Sequence, residues 1–162
     1  MKIGNWDVRH VDAGFFKLDG GAMFGTVPKV IWAKLMPADD LNRIRFASNS
    51  LLLFGEVDGR PRVVVVETGN GDKEDELFRQ RFALEGRNVL VDSLSALGVQ
   101  AEDVTDVILT HLHFDHAGGA TRHEDDRIVP TFPNARHIVQ RQELEDALNP
   151  PLRSKASYLP YN

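Results

Sequence analysis

Between Thr110 and Gly119 the chain reads Thr-His-Leu-His-Phe-Asp-His-Ala-Gly-Gly, which places His111, His113, Asp115 and His116 within six positions. Imidazole nitrogen and carboxylate oxygen are donors for zinc, and manganese and iron accept them as well. His111 and His113 are two residues apart. On an extended segment, side chains at that spacing point the same way, so both can reach one ion. Asp115 and His116 follow at a turn and could face a second. Ala117, Gly118 and Gly119 then let the backbone pass close by without side-chain collision. The alternative, four solvated loop residues, asks for a dense cluster of ligand types with nothing to hold. Two ions at such a site would bridge a water, lower its pKa toward neutrality and polarise a carbonyl or phosphoryl oxygen. Asp115 could then serve as both ligand and proton carrier, which makes it the candidate catalytic residue.

Other nucleophiles are missing. There is no cysteine, hence no disulfide and no thiolate ligand, and no serine lies in a Gly-x-Ser-x-Gly turn. His10, His123 and His137 read as structural or solvated, with His123, next to Glu124-Asp125-Asp126, the best accessory ligand among them.

The elements that must carry the motif follow from periodicity. Residues 106–110, Asp-Val-Ile-Leu-Thr, read as a buried strand running straight into it. Residues 50–57 and 62–67 flank Asp58-Gly59, a hairpin signal. The run Val63–Val66 does not alternate, which implies cover on both faces of the sheet. Residues 6–12 and 15–18 read as short strands pairing across Ala13-Gly14, and 19–29 as a glycine-rich loop. Residues 73–84 and 89–97 read as helices, the latter with Val91, Leu94 and Leu97 on one stripe and Gly98 as its stop. A strand over 136–140 and a helix over 141–148 complete the order. Hairpins followed by strands alternating with helices predict an α/β sandwich with a mixed sheet.

Composition limits the partners. The 162 residues suit one domain, with no repeat or linker. Hydrophobic content of 42% and charged content of 27% are ordinary for a soluble protein, and a net charge of -5 argues against a broad nucleic-acid surface. The N-terminus lacks the apolar run of a secretion signal, and no segment is long enough to span a bilayer, so a cytoplasmic location without membrane contact is expected.

The His-x-His-x-Asp-His run resembles the signature of the metallo-β-lactamase superfamily. Asp19–Trp32, Phe132–Ala135 and Arg153–Tyr158 are further similar to its quorum-quenching lactonase subgroup, which acts on N-acyl homoserine lactones. The resemblance implies an αββα sandwich in which residues 1–162 form a single N-terminal αβ half, with the C-terminal half absent. It also implies two divalent metal ions, zinc foremost with manganese, iron or cobalt as alternatives. His111 and His113 would bind one ion, Asp115 and His116 the other, and three further ligands would come from later sequence. Glu67-Thr68-Gly69 departs from the Asp-x-Gly usual there, whose aspartate supports the metal loop from behind; Glu67 is one methylene longer, which leaves its role open. Met23, Phe24 and Trp32 would line the substrate mouth or, equally, Trp32 and Phe24 would simply pack against the sheet.

The expected activity is opening of a lactone or related ester by metal-activated hydroxide. The alternatives are a thioester, phosphotriester or β-lactam substrate, iron-dependent redox chemistry on the same scaffold, or an inactive fragment. The partners expected are a small-molecule lactone or ester and either the C-terminal segment of the same protein or a second copy of the chain. Either would cover the strands' second apolar face.

Overall fold

The computed structural model describes residues 1–162. Its strands are β1 (Lys2–Ile3), β2 (Trp6–Asp19), β3 (Arg43–Val57), β4 (Arg60–Val66), β5 (Asp106–Ile108), β6 (Thr121–Glu124), β7 (Arg127–Pro130) and β8 (Arg136–Ile138). Its helices are α1 (Gly20–Phe24), α2 (Lys29–Trp32), α3 (Glu76–Phe82), α4 (Val89–Ala96), α5 (Phe114–Ala117) and α6 (Arg141–Leu148). Six strands form one mixed sheet in the order β1-β2-β3-β4-β5-β8, and β6-β7 make a separate hairpin. The pairs from β1 to β4 are antiparallel, whereas β4-β5 and β5-β8 are parallel. The parallel pairs need crossovers, and the segment holding α3 and α4 supplies the first of them.

The registers define two faces. Leu52, Val65 and Val107 lie side by side and are fully buried. Leu90 and Leu94 of α4, with Val99, Val104 and Phe132, belong to the same core. Each such side chain contributes about 1.5–3 kcal/mol on burial. The opposite face carries the row Leu51, Val66, Ile108 and Ile138. There Leu51 is 41%, Ile108 36% and Ile138 42% exposed, so an apolar strip lies open.

The mixed α/β sheet, the Asp58-Gly59 hairpin and the helix over 141–148 agree with the sequence reading. Several details differ. Residues 6–19 form one long strand rather than a hairpin, because Gly14 at φ 105 makes a bulge between Asp12 and Phe15. The Asp12 carboxylate accepts the Gly14 N–H at 2.8 Å, which stabilises the bulge where a turn was expected. Residues 20–24 coil into one helical turn, since Asp19 caps Ala22 N–H at 2.7 Å. Helix α3 starts only at Glu76, behind the Asp75 cap. On α4 the buried positions are Leu90 and Leu94, whereas Leu97 is 40% exposed, so the stripe is rotated by a residue. The hairpin β6-β7 turns on Asp125 and Asp126, where charge hides the strand pattern.

Candidate metal centre

Strand β5 delivers the motif. Beyond its end, Leu109 N–H donates to Ile138 O at 2.9 Å, and Glu67 N–H donates to Ile108 O at 2.9 Å. The chain then turns into α5, whose start is fixed by His116 and Ala117 N–H bonding His113 O at 3.0 and 2.9 Å. Phe114, 6% exposed, anchors that turn. Its ring meets Phe78 edge-on at 5.2 Å, Phe82 at 4.8 Å and Phe16 at 6.3 Å. The one apolar residue inside the motif's second half thus buries itself, which turns Asp115 and His116 the other way.

The far side of α5 is joined to the loop after β4. Thr68 donates both its N–H and its hydroxyl to His116 O, at 2.8 and 2.9 Å. Backbone runs so close here that a Cβ on Gly118 would lie 2.1 Å from Asn70 O, and one on Gly119 2.2 Å from Thr68 O. Buried Lys73 donates to Gly118 O and, at 3.3 Å, to Thr121 O. Burial holds its pKa down to about 8. We expect Gly118→Ala to destabilise the fold by about 1–3 kcal/mol or more, since backbone rather than a flexible side chain must yield. A thermal melt would show this, and an unchanged midpoint would contradict the close-approach argument.

The side chains converge. One ligand atom each from Glu67, His111 and His116 lies within 4.8 Å of the others. The His111 ring centroid is 3.9 Å from that of His116 and 4.7 Å from that of His113. Asp115 Oδ2 lies 3.5 Å from His116 Nε2. The His111 and His116 imidazoles are donors of the kind a zinc-type ion takes, and Glu67 stands behind His116 as the carboxylate partner of its second ring nitrogen. Glu67 Oε1 accepts the Thr110 N–H at 2.6 Å, and its Oε2 takes a hydrogen bond from His116 Nδ1. Thr110 Oγ1 is 3.0 Å from His111 Nδ1.

These contacts set the charges. Burial opposes a charged His116, but the Glu67 hydrogen bond and the Asp115 and Glu67 charges outweigh it, so its pKa is raised. Burial likewise opposes ionised Glu67, yet His116 and the Thr110 N–H bring its pKa down. His111 is shifted down by burial and by the neighbouring His116 and His113, which favours the neutral form that binds metals.

Glu67, Asp115 and His116 open into a cavity of about 150 Å³ that Phe16, Phe46 and Asn49 also line. A hollow of about 420 Å³ near Asn70, Arg87 and Arg122 is larger, but none of the motif histidines or Asp115 lines it. The chemistry is therefore located by donor atoms rather than by volume.

The family model of the metallo-beta-lactamase superfamily matches residues 43–154, more than half of the chain. The chain belongs to the metallo-beta-lactamase superfamily. Among its curated relatives, the N-acyl homoserine lactonase AttM of Agrobacterium fabrum is 42% identical over 69 residues, covering 43% of this chain and 23% of that protein. A probable metal-dependent hydrolase from Staphylococcus aureus superposes with a TM-score of 0.86 at 32% identity, over 100% of this chain and 56% of that one. AidC, a dizinc quorum-quenching lactonase crystallised with its product, superposes with a TM-score of 0.68 at 25% identity, over 95% and 48%. The chain thus spans about half the length of these two solved structures, and its match covers about a quarter of the curated relative.

Of the residues the sequence singled out, His111, His113, Asp115 and His116 are brought together. Trp32 is 3% exposed under Gly20, Phe24 stacks on it at 4.9 Å, and Met23 is 47% exposed. None of these three lines the cavity beside His116. His10 hydrogen-bonds Asn49 at 2.7 Å, and His123 and His137 are exposed. Glu67 is not among the ligands expected from the sequence, which leaves its role open at a position where the resembling family has an aspartate supporting the metal loop. Its signal was the substitution in Glu67-Thr68-Gly69, and its longer side chain reaches both Thr110 and His116.

Proposed function

We propose that this chain carries the first part of a metal-dependent hydrolase that opens a lactone or related ester. The convergence of Glu67, His111 and His116 at the end of β5, beside His113 and Asp115, is the observation that carries this reading. His111, His113, Asp115 and His116 would hold up to two divalent ions, zinc foremost. Bound there, they would acidify a water and polarise the substrate's carbonyl oxygen. Asp115 then holds the proton and hands it to the departing alkoxide. Met23 and Phe24, on the exposed turn above buried Trp32, would meet the apolar part of the substrate. The lactonase activity of AttM and AidC favours an acyl lactone among the possible esters.

We further propose that residues 1–162 are one half of the active unit. The open strip of Leu51, Val66, Ile108 and Ile138 needs cover, and later sequence of the same protein would supply both that cover and further ligands. A second copy of the chain is the alternative occupant, which sedimentation of residues 1–162 alone would reveal. No helix of the chain is long and apolar enough to cross a membrane.

The test is hydrolysis of an N-acyl homoserine lactone by the complete protein. We expect activity to vanish on chelation and return with zinc, manganese or cobalt. Turnover surviving metal removal, verified by elemental analysis, would refute the reading.

A further inference from the structure

His116 is held by Glu67, and His111 is hydrogen-bonded to Thr110. The His113 ring makes no hydrogen bond within the chain; it is flanked by two aromatic rings instead. The His111 ring meets it at 4.7 Å and 76°, and the Tyr158 ring likewise meets it at 4.7 Å and 76°. Tyr158 is itself fixed. Its hydroxyl donates to Glu143 Oε1 at 3.1 Å. The same oxygen accepts the Leu112 N–H at 2.7 Å, from the residue between His111 and His113. Glu143 lies in the first turn of α6, and Tyr158 lies 15 residues further on. One carboxylate oxygen thus joins the backbone of the His-x-His segment to the ring that braces its second histidine.

We propose that Glu143 and Tyr158 are positioning residues for His113. They form a clamp that shares no contact with the Glu67 hydrogen bonds to Thr110 and His116. A histidine ligand ordinarily donates its second ring nitrogen to a carboxylate or carbonyl, which fixes the ring. His113 lacks that partner, so ring orientation falls to edge-to-face packing against Tyr158, with Glu143 holding both the Tyr158 hydroxyl and the Leu112 amide. The two residues act as one unit through a shared atom. This inference rests on the metal-binding reading above only for its consequence; the brace itself is a statement about contacts.

Two measurements on the complete protein test it. In the metal-free protein with labelled histidines, Tyr158→Leu should shift the His113 ring-proton resonances, because a ring current is lost, and leave those of His116 in place. Unchanged His113 resonances would overturn the brace, whether or not the protein binds metal. In metal competition against a chelator, Tyr158→Leu and Glu143→Ala should each weaken cobalt binding about tenfold, as loss of an outer partner of a ligand does. Tyr158→Phe should stay within about threefold, since the ring contact survives. The double variant Tyr158→Leu/Glu143→Ala should be no weaker than either single one, and the visible spectrum of bound cobalt should change with them. Folded variants with wild-type cobalt affinity and spectrum would overturn the positioning role. A wild-type protein that binds no cobalt would refute the metal reading instead, and the resonance shifts would still decide the clamp.

Discussion

In the complete protein, His116→Ala should empty the site of metal and reduce hydrolysis by at least about a hundredfold, since even an outer partner of a ligand is worth about 10–100-fold. His116 is the hub of the cluster. Its ring centroid is 3.9 Å from that of His111, its Nδ1 meets Glu67, and its Nε2 is 3.5 Å from Asp115. Removing the ring takes away a donor and leaves the Glu67 carboxylate, one of the better-shielded charges of the site, without its histidine. His111→Ala and His113→Ala should behave alike in metal content. His10→Ala and His137→Ala serve as controls, because His10 pairs with Asn49 and His137 faces solvent on β8. Elemental analysis beside a turnover assay reads both effects. Full occupancy and turnover in folded His116→Ala protein would remove it from the ligand set.

The part of this site that could be read in the sequence is the part built from neighbours. His111, His113, Asp115 and His116 share one short segment, so spacing alone shows that they converge. The hairpin at Asp58-Gly59 and helix α6 announce themselves for the same reason, through local turn chemistry and a local period. What escaped depends on contacts across the chain. Glu67 and His116 are 49 residues apart, and only the sheet register places the end of β4 against α5. Tyr158 reaches His113 across 45 residues through a segment without regular periodicity. Gly14 looks like a turn until β3 is known to run alongside on both sides of it, when a bulge is the only solution. The α4 stripe fails more subtly, since Val91 and Leu90 are both apolar and tertiary packing chooses between them. For Trp32, sequence alone leaves core and pocket equally open, and burial beneath Gly20 is a fact of the folded chain.

Glu67→Gln should weaken metal binding by about 10–100-fold while leaving the fold intact, the range expected for the carboxylate behind a histidine ligand. The argument turns on which way the amide faces. Glu67 accepts two hydrogen bonds, from Thr110 N–H at 2.6 Å through Oε1 and from His116 Nδ1 through Oε2. Glutamine has one oxygen for these two donors. If that oxygen keeps the Thr110 amide, the NH2 group faces His116 Nδ1, which must then give up its proton. The proton moves to Nε2, the nitrogen nearest Asp115, and His116 can no longer offer that lone pair to an ion. If the amide flips, His116 keeps its tautomer but the Thr110 N–H loses its acceptor and the motif's entry loosens. Either orientation also removes the negative charge that favours a charged His116. Glu67→Asp separates charge from reach. The backbone at this position has φ 66, a conformation aspartate tolerates better than most residues, so folding should persist. One methylene shorter, the carboxylate cannot span both partners as placed. It keeps its charge, so we expect a loss smaller than that of Glu67→Gln. Chelator competition across wild type, Glu67→Asp and Glu67→Gln measures the order directly. Equal affinity in wild type and Glu67→Gln would show that Glu67 does not set the tautomer of His116.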